Sequence, residues 1–272
     1  MNISVLKDLL AVPTVSYDEL PLVLWLADYI KRNIPSAHVS VDEAYNVYVT
    51  KGQADYFPCV AAHIDSVHQH QQVRIVEDKG RLIGFDTNNQ RTGIGGDDKA
   101  GVFVCLNLLE RFENIRAVFF ATEECGCVGA RKADPAFFDR LAYLVEFDCP
   151  SRHMVSHSCG GQRLFANDGA FIKKALPSLQ RHGSTLWQSH PYTDVMAIRQ
   201  RFPISCLNLS CGYYNWHAKN EFVSLHDVRL AIAQGADLVS TLDHVRYECP
   251  VGLHDLSESL VPVTGLHVPQ PV

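Results

Sequence analysis

Three apolar runs in this chain each stop at ionisable residues. Pro58-Cys59-Val60-Ala61-Ala62 leads into His63 and Asp65. The run from Ile115 to Ala121 leads into Thr122, Glu123 and Glu124. Tyr143-Leu144-Val145-Glu146-Phe147 leads into Asp148. Unbroken apolar stretches of this kind suit strands buried on both faces, as in a parallel sheet covered by helices. The expected fold class is therefore α/β, a three-layer α/β/α arrangement with a mixed, mostly parallel central sheet.

The rest of the chain fits that alternation. Leu6, Leu9 and Leu10, then Leu22, Leu24, Leu26 and Ile30, predict two N-terminal helices separated by Pro13 and a Ser16-Tyr17-Asp18-Glu19 start signal. Further helices are expected over 99–111, 128–133, 168–182, 194–199 and 225–244. Shorter strands are expected over 37–41, 46–50, 73–76, 82–84 and 204–209. No repeat or low-complexity linker divides the 272 residues, so one domain is expected over 1–272. From about residue 247 it becomes a tail carrying Pro250, Pro262, Pro269 and Pro271.

Composition narrows the function classes. A net charge of −6 leaves no basic footprint for nucleic acid. No apolar run approaches the roughly 20 residues of a membrane helix, and the first residues lack signal-peptide order. Nine scattered cysteines read as buried free thiols in a reducing compartment, so a cytoplasmic location is expected. Cys125-Gly126-Cys127 has neither redox nor zinc-knuckle spacing.

In open α/β sheets, ligand sites gather at the carboxyl ends of strands. Acids crowded there repel one another unless a cation joins them. Asp97, Glu124 and Asp148 with His63 and His217 form a natural donor set for two Zn²⁺ ions, through carboxylate oxygen and imidazole nitrogen. Three carboxylates and a hydroxide balance two divalent cations, so such a cluster tolerates burial. Co²⁺ or Mn²⁺ suits the same mixed donors.

Other chemistries find less support. The Gly93-Ile94-Gly95-Gly96 turn lacks the Gly-Lys-Ser/Thr of a phosphate loop, and Asp97 with Asp98 would repel a pyrophosphate. Gly-x-Ser-x-Gly is absent. Cys159 near His157 has no supporting pattern for a nucleophile. Each motif alone has an ordinary reading: a hydrogen-bonded His-x-Asp, solvated acids at Glu123-Glu124, a helix cap at Asp97-Asp98. His68 and His70 read as part of a polar loop. His190 and Asp194 read as substrate contacts, with helix capping by Thr193 or Asp194 as the alternative, and Tyr213 and Tyr214 read as packing, oxyanion or substrate-stacking groups.

Taken in order, the motifs are more specific. His63-Ile64-Asp65, Gly96-Asp97-Asp98-Lys99-Ala100-Gly101, Ala121-Thr122-Glu123-Glu124 and the segment from Gly212 to Phe222 around Trp216-His217 resemble the co-catalytic zinc exopeptidases. The likeness is greatest to peptidase T-like tripeptidases, and Leu9-Leu10-Ala11-Val12-Pro13-Thr14-Val15-Ser16 resembles that family's opening helix and turn. The resemblance runs from about residue 5 to about 245. It implies that His63 and Asp148 hold one zinc, Glu124 and His217 the other, and that Asp97 bridges both before a commonly cis peptide bond. It implies further that Asp65 orients His63 and that Glu123 is the general base and acid.

The implied substrate is a short peptide, cleaved by an aminopeptidase-like activity, or an N-acyl amino acid cleaved by a related deacylase. A non-enzymatic metal-binding relative is the other expectation, and a retained Glu123 argues against it. One departure stands out. Larger relatives insert a lid of roughly a hundred residues after the position of Asp148, whereas here 69 positions separate Asp148 from His217. A bare catalytic domain without a lid or dimerisation domain is expected, with no residue assigned to the lid's histidine.

Overall fold

The computed structural model describes residues 1–67, 73–190 and 192–252. His68, His70 and the tail prolines Pro262, Pro269 and Pro271 lie outside the described residues.

Two helices open the chain, α1 (Ile3–Ala11) and α2 (Leu20–Asn33). The Asn2 side chain caps α1 by accepting from Ser4 N at 3.1 Å, and Leu6, Leu9 and Leu10 form its buried stripe. Glu19 precedes α2 but does not cap it. Its carboxylate accepts instead from Tyr17 N and from Thr122 Oγ1, which ties the turn to the site.

Strands β1 (Ala37–Val41), β2 (Val47–Lys51) and β3 (Phe57–His63) follow, then the short antiparallel β4 (Arg74–Asp78), β5 (Arg81–Phe85) and β6 (Arg91–Thr92). Helix α3 (Gly96–Arg111) leads to β7 (Ile115–Phe120). The brief helices α4 (Val128–Lys132) and α5 (Pro135–Phe138) precede β8 (Leu141–Cys149). Next come β9 (Met154–Cys159), β10 (Gln162–Arg163), α6 (Ala170–Arg181), β11 (Leu186–His190) and α7 (Asp194–Arg199). The chain continues through β12 (Cys206–Ser210), β13 (Tyr213–Tyr214), β14 (Phe222–Ser224) and α8 (Leu225–Leu242).

The main sheet runs β1-β2-β7-β3-β8-β12-β9-β10, with β11 also on β9. Parallel pairing joins the four central strands β7, β3, β8 and β12, and β11 to β9. The outer pairs are antiparallel. The sheet is mixed, and its parallel character belongs mainly to the centre. There β3 and β8 are buried along their whole length, which is why their sequences read as continuous apolar runs. Helices flank it in two groups. α3 lies on β3, β7 and β8 and packs against α1 and α8, with α6 on α8, while α4 pairs with α7.

A second sheet, β13-β14-β5-β4 with β6 on β5, is what brings distant loops together. β6 leads into the glycine turn before Asp97. The β13–β14 hairpin carries His217 in its loop, and β14 pairs with β5 from Phe222 opposite Ile83 to Ser224 opposite Arg81. No helix among the described residues is long and apolar enough to cross a membrane. All nine cysteines are free, and all but Cys125 are buried.

Candidate metal centre

Strand ends supply most of the site. His63 closes β3, and the chain remains paired one residue further through Ile64 N to Phe120 O at 2.8 Å. After β7, Thr122 adopts φ 57°, which turns the backbone sharply so that Glu123 and Glu124 follow the strand end. Asp65 fixes that turn. Its Oδ1 accepts from Glu123 N at 2.8 Å and its Oδ2 from Glu124 N at 3.2 Å and Ser16 Oγ at 2.7 Å. The same residue faces His63 Nδ1, through its carbonyl oxygen at 3.1 Å and Oδ1 at 3.3 Å. Asp65 thus positions the two glutamates as well as the imidazole.

Asp97 sits at the start of α3, with Asp97 and Asp98 outside helical geometry and a cis peptide bond between them. Regular helix begins at Lys99, where Asp98 Oδ1 caps it by accepting from Gly101 N at 3.1 Å. Position 101 must be glycine on steric grounds, because a Cβ there would meet Phe147 O at 2.0 Å and both Asp98 carboxylate oxygens. Asp148 lies within β8 and donates its backbone N–H to Asn208 Oδ1 at 2.9 Å. Its carboxylate accepts from Thr193 Oγ1 at 3.0 Å and from the Tyr213 hydroxyl at 3.3 Å. Tyr213 is thereby engaged with Asp148, while Tyr214 donates to Asp227 at 2.8 Å.

The five predicted donors converge. Asp97 straddles them: Oδ1 lies 3.1 Å from His63 Nε2 and Oδ2 lies 3.4 Å from His217 Nε2. Asp148 Oδ1 is 3.5 Å from His63 Nε2, and Glu124 Oε1 is 2.9 Å from His217 Nε2. His63, Asp97 and Asp148 form one compact triad, and Asp97, Glu124 and His217 another. Glu123 also comes within reach of His63 and Glu124. It is the one acid of the cluster that both triads leave out.

This donor chemistry suits two divalent cations. With Nδ1–H turned to Asp65, the Nε2 lone pair of His63 points at two carboxylate oxygens. Lone pairs converging in a buried place need a cation between them. In the metal-free protein, protons play that part. Burial alone would lower the pKa of His63, but Asp148, Asp65 and Asp97 hold it well above the usual imidazole value. Hydrogen bonds to Asp97 and Glu124 raise His217 to about 10. Burial would raise Asp97, yet contacts with His217 and His63 keep it below the usual carboxylate range. Burial pushes Glu123 well above that range and Glu124 above it too.

Several positioning groups carried no signal that sequence reasoning assigned. Glu221, fully buried, accepts from Ile94 N at 2.7 Å, Gly95 N at 2.9 Å and Asp97 N at 3.0 Å. Thr193 bridges Glu146 and Asp148 rather than capping α7 through its side chain. Cys127 is buried with its thiol 3.7 Å from Glu123 Oε1. Burial pushes the Cys159 thiol far up, which removes it as a nucleophile. Asp194 is fully buried, and its carboxylate oxygens have no hydrogen-bond partner. Burial and the nearby Glu146 raise its pKa well above normal.

The cluster opens into a cleft of about 380 Å³, lined by Asp97, Glu123, Glu124, Asp148 and His217 and walled by Pro150, Met154, Gln188, Ser189, His190, Tyr192, Tyr213 and Trp216.

The mixed α/β fold recurs in solved structures of other proteins. It is shared with the tripeptidase of Staphylococcus aureus, at 14% identity and a TM-score of 0.77, over 88% of this chain and 97% of that one. Aminopeptidase PepT from Bacillus cereus aligns at 13% identity and a TM-score of 0.73, over the same 88% and 97%. A protein described as an endoglucanase from Thermotoga maritima also aligns, at 13% identity and a TM-score of 0.58, over 88% and 99%. At such identities the likeness is one of fold, and the chemistry must come from the site. No protein-family model and no curated protein sequence matches the chain.

Proposed function

We propose that this chain is a metal-dependent hydrolase of peptide bonds, an exopeptidase of aminopeptidase type that acts on short peptides. The observation that carries the reading is Asp97, whose two oxygens face two different histidines. His63, Asp148 and Asp97 would hold one divalent ion, and Glu124, His217 and Asp97 a second, zinc in the first instance and cobalt or manganese as substitutes. When bound, such ions polarise a carbonyl and lower the pKa of water.

The chain's own residues supply the rest. Glu123 is held by its backbone, through Asp65, at the edge of both triads. Burial raises its carboxyl well above the usual carboxylate range, the direction that suits a general base that later returns the proton to the leaving amine. Asp65, bonded to Ser16, His63 and both glutamates, fixes the distance between base and metal donors. Met154, Tyr192 and Trp216 give the cleft an apolar wall for a side chain.

The test is chelation followed by zinc add-back, with amino acid anilides, dipeptides, tripeptides and N-acetyl amino acids as substrates. Hydrolysis should vanish on chelation and return with metal. Glu123→Gln should keep its metal and lose about 10²–10⁴-fold in kcat. No hydrolysis of any substrate at full metal loading would refute the enzyme reading in favour of a metal-binding protein without catalysis.

A further inference from the structure

β11 is an edge strand in the wall of the cleft. Its strand partner is β9, parallel, from Leu186 opposite Met154 to His190 opposite Cys159. No other strand pairs with it among the described residues. An edge of this kind presents a row of backbone N–H and C=O groups ready for another extended chain.

Gln188, Ser189 and His190 all line the cleft that holds Asp97, Glu123 and His217. Successive side chains on a strand point to opposite faces. Three consecutive residues border one cleft when that cleft follows the strand's edge rather than one face. A register shift between Gln188 and Ser189 marks the same point, and such irregularities re-aim strands beside binding sites. The lining also has a notable charge pattern. Among the described residues it contains no lysine or arginine. Among the described residues no lysine or arginine of the lining is placed to clamp a substrate's carboxylate, a group that N-acyl amino acids and unblocked short peptides share, so recognition must come from elsewhere.

We propose that the free edge of β11 receives the main chain of a peptide substrate as an added strand and lays it across the metal donors. The substrates are then extended peptides rather than N-acyl amino acids. This rests on the hydrolase reading above and names the substrate class of that same site. Main-chain hydrogen bonds supply affinity in this mode and make it tolerant of side chains. Only alternate substrate amides face the edge.

The probes are pentaalanine amide and versions N-methylated at one amide beyond the first, with leucine p-nitroanilide as a reference too short to reach along the strand. Two readouts apply. One is kcat/KM with zinc-loaded protein. The other is tryptophan fluorescence during titration of metal-free protein, since Trp187 lies on β11 and Trp216 lines the cleft. N-methylation at one set of alternate amides should weaken binding and kcat/KM about tenfold, while the intervening set is tolerated. Equal tolerance at every amide in both readouts would overturn the proposal, as would faster cleavage of N-acetyl amino acids than of the pentapeptide. If neither the pentapeptide nor leucine p-nitroanilide is hydrolysed at full metal loading, the hydrolase reading fails, and the fluorescence titration alone decides whether the edge binds peptide.

Discussion

Glu221 and Asp97 are joined through the backbone, with Glu221 Oε1 accepting from Asp97 N at 3.0 Å while Oε2 takes the N–H groups of Ile94 and Gly95. One buried carboxylate therefore holds the whole glycine turn that presents the bridging donor. Its three bonds are charge-assisted, so the neutral amide is a poor replacement. Glu221→Gln should cost about 1–3 kcal/mol of stability and reduce bound metal, because Asp97 loses its fixed backbone. Thermal unfolding with metal quantification checks this. Unchanged values in both would show that the turn holds itself.

The straddling position of Asp97 predicts an asymmetry in metal content. Asp97→Ala removes a donor from both triads, whereas Asp148→Asn removes one from the triad of His63 alone. Titration with zinc should give two ions for the parent protein, a severe loss of both for Asp97→Ala, and one retained ion for Asp148→Asn. Equal losses in the two variants would mean that the sites are not divided in this way.

Protons and metal compete for the same lone pairs. In the metal-free protein the Asp97 and Glu124 contacts raise His217 to about 10, and His63 is also raised. Below about 10 the His217 imidazole carries a proton that metal must displace, and the raised His63 acts in the same direction. Zinc binding at pH 7 should therefore release protons, and affinity should rise as pH increases toward 10. Calorimetry in buffers of different ionisation enthalpy measures the release. An observed heat independent of buffer would contradict it.

Legibility in the sequence followed burial. The central strands β3, β7 and β8 were readable because both faces are covered and no alternation is required. The candidate donors stood out because β3 and β8 carry His63 and Asp148, and Glu123 and Glu124 follow the end of β7. The shorter strands β1, β2, β4, β5 and β12 were readable too, but others were not. Leu-Trp-Gln-Ser-His of β11 is half-exposed and has neither alternation nor an apolar run, and β13 and β14 are two and three residues long. β9, Met154–Cys159, pairs through a mixture of serine, histidine and cysteine that no period marks. Glu221 lies within the segment from Gly212 to Phe222 and nothing local sets it apart. A carboxylate bonded to backbone more than a hundred residues away leaves no local pattern, and the second sheet that creates the contact depends on the very short β13 and β14.

Thr193 gives the last prediction, from a count of protons. Its single hydroxyl lies 2.6 Å from Glu146 Oε2 and 3.0 Å from Asp148 Oδ2. It cannot donate to two ionised carboxylates at once. Burial and the nearby Asp148 charge raise Glu146 to about 8, so at pH 7 Glu146 carries a proton and can donate to Thr193, which in turn donates to Asp148. The chain of bonds aims the Asp148 carboxylate at His63 without placing a second charge beside it. Thr193→Val keeps the shape and breaks both bonds, along with the one that Oγ1 accepts from Asn208 Nδ2 at 3.3 Å. It should lower stability by about 1–3 kcal/mol and weaken the metal site that uses Asp148, while Thr193→Ser should restore most of both. Denaturant unfolding and zinc titration of the two variants decide the matter, and a valine variant with unaltered metal affinity would show that Asp148 is held by Tyr213 and Asn208 alone.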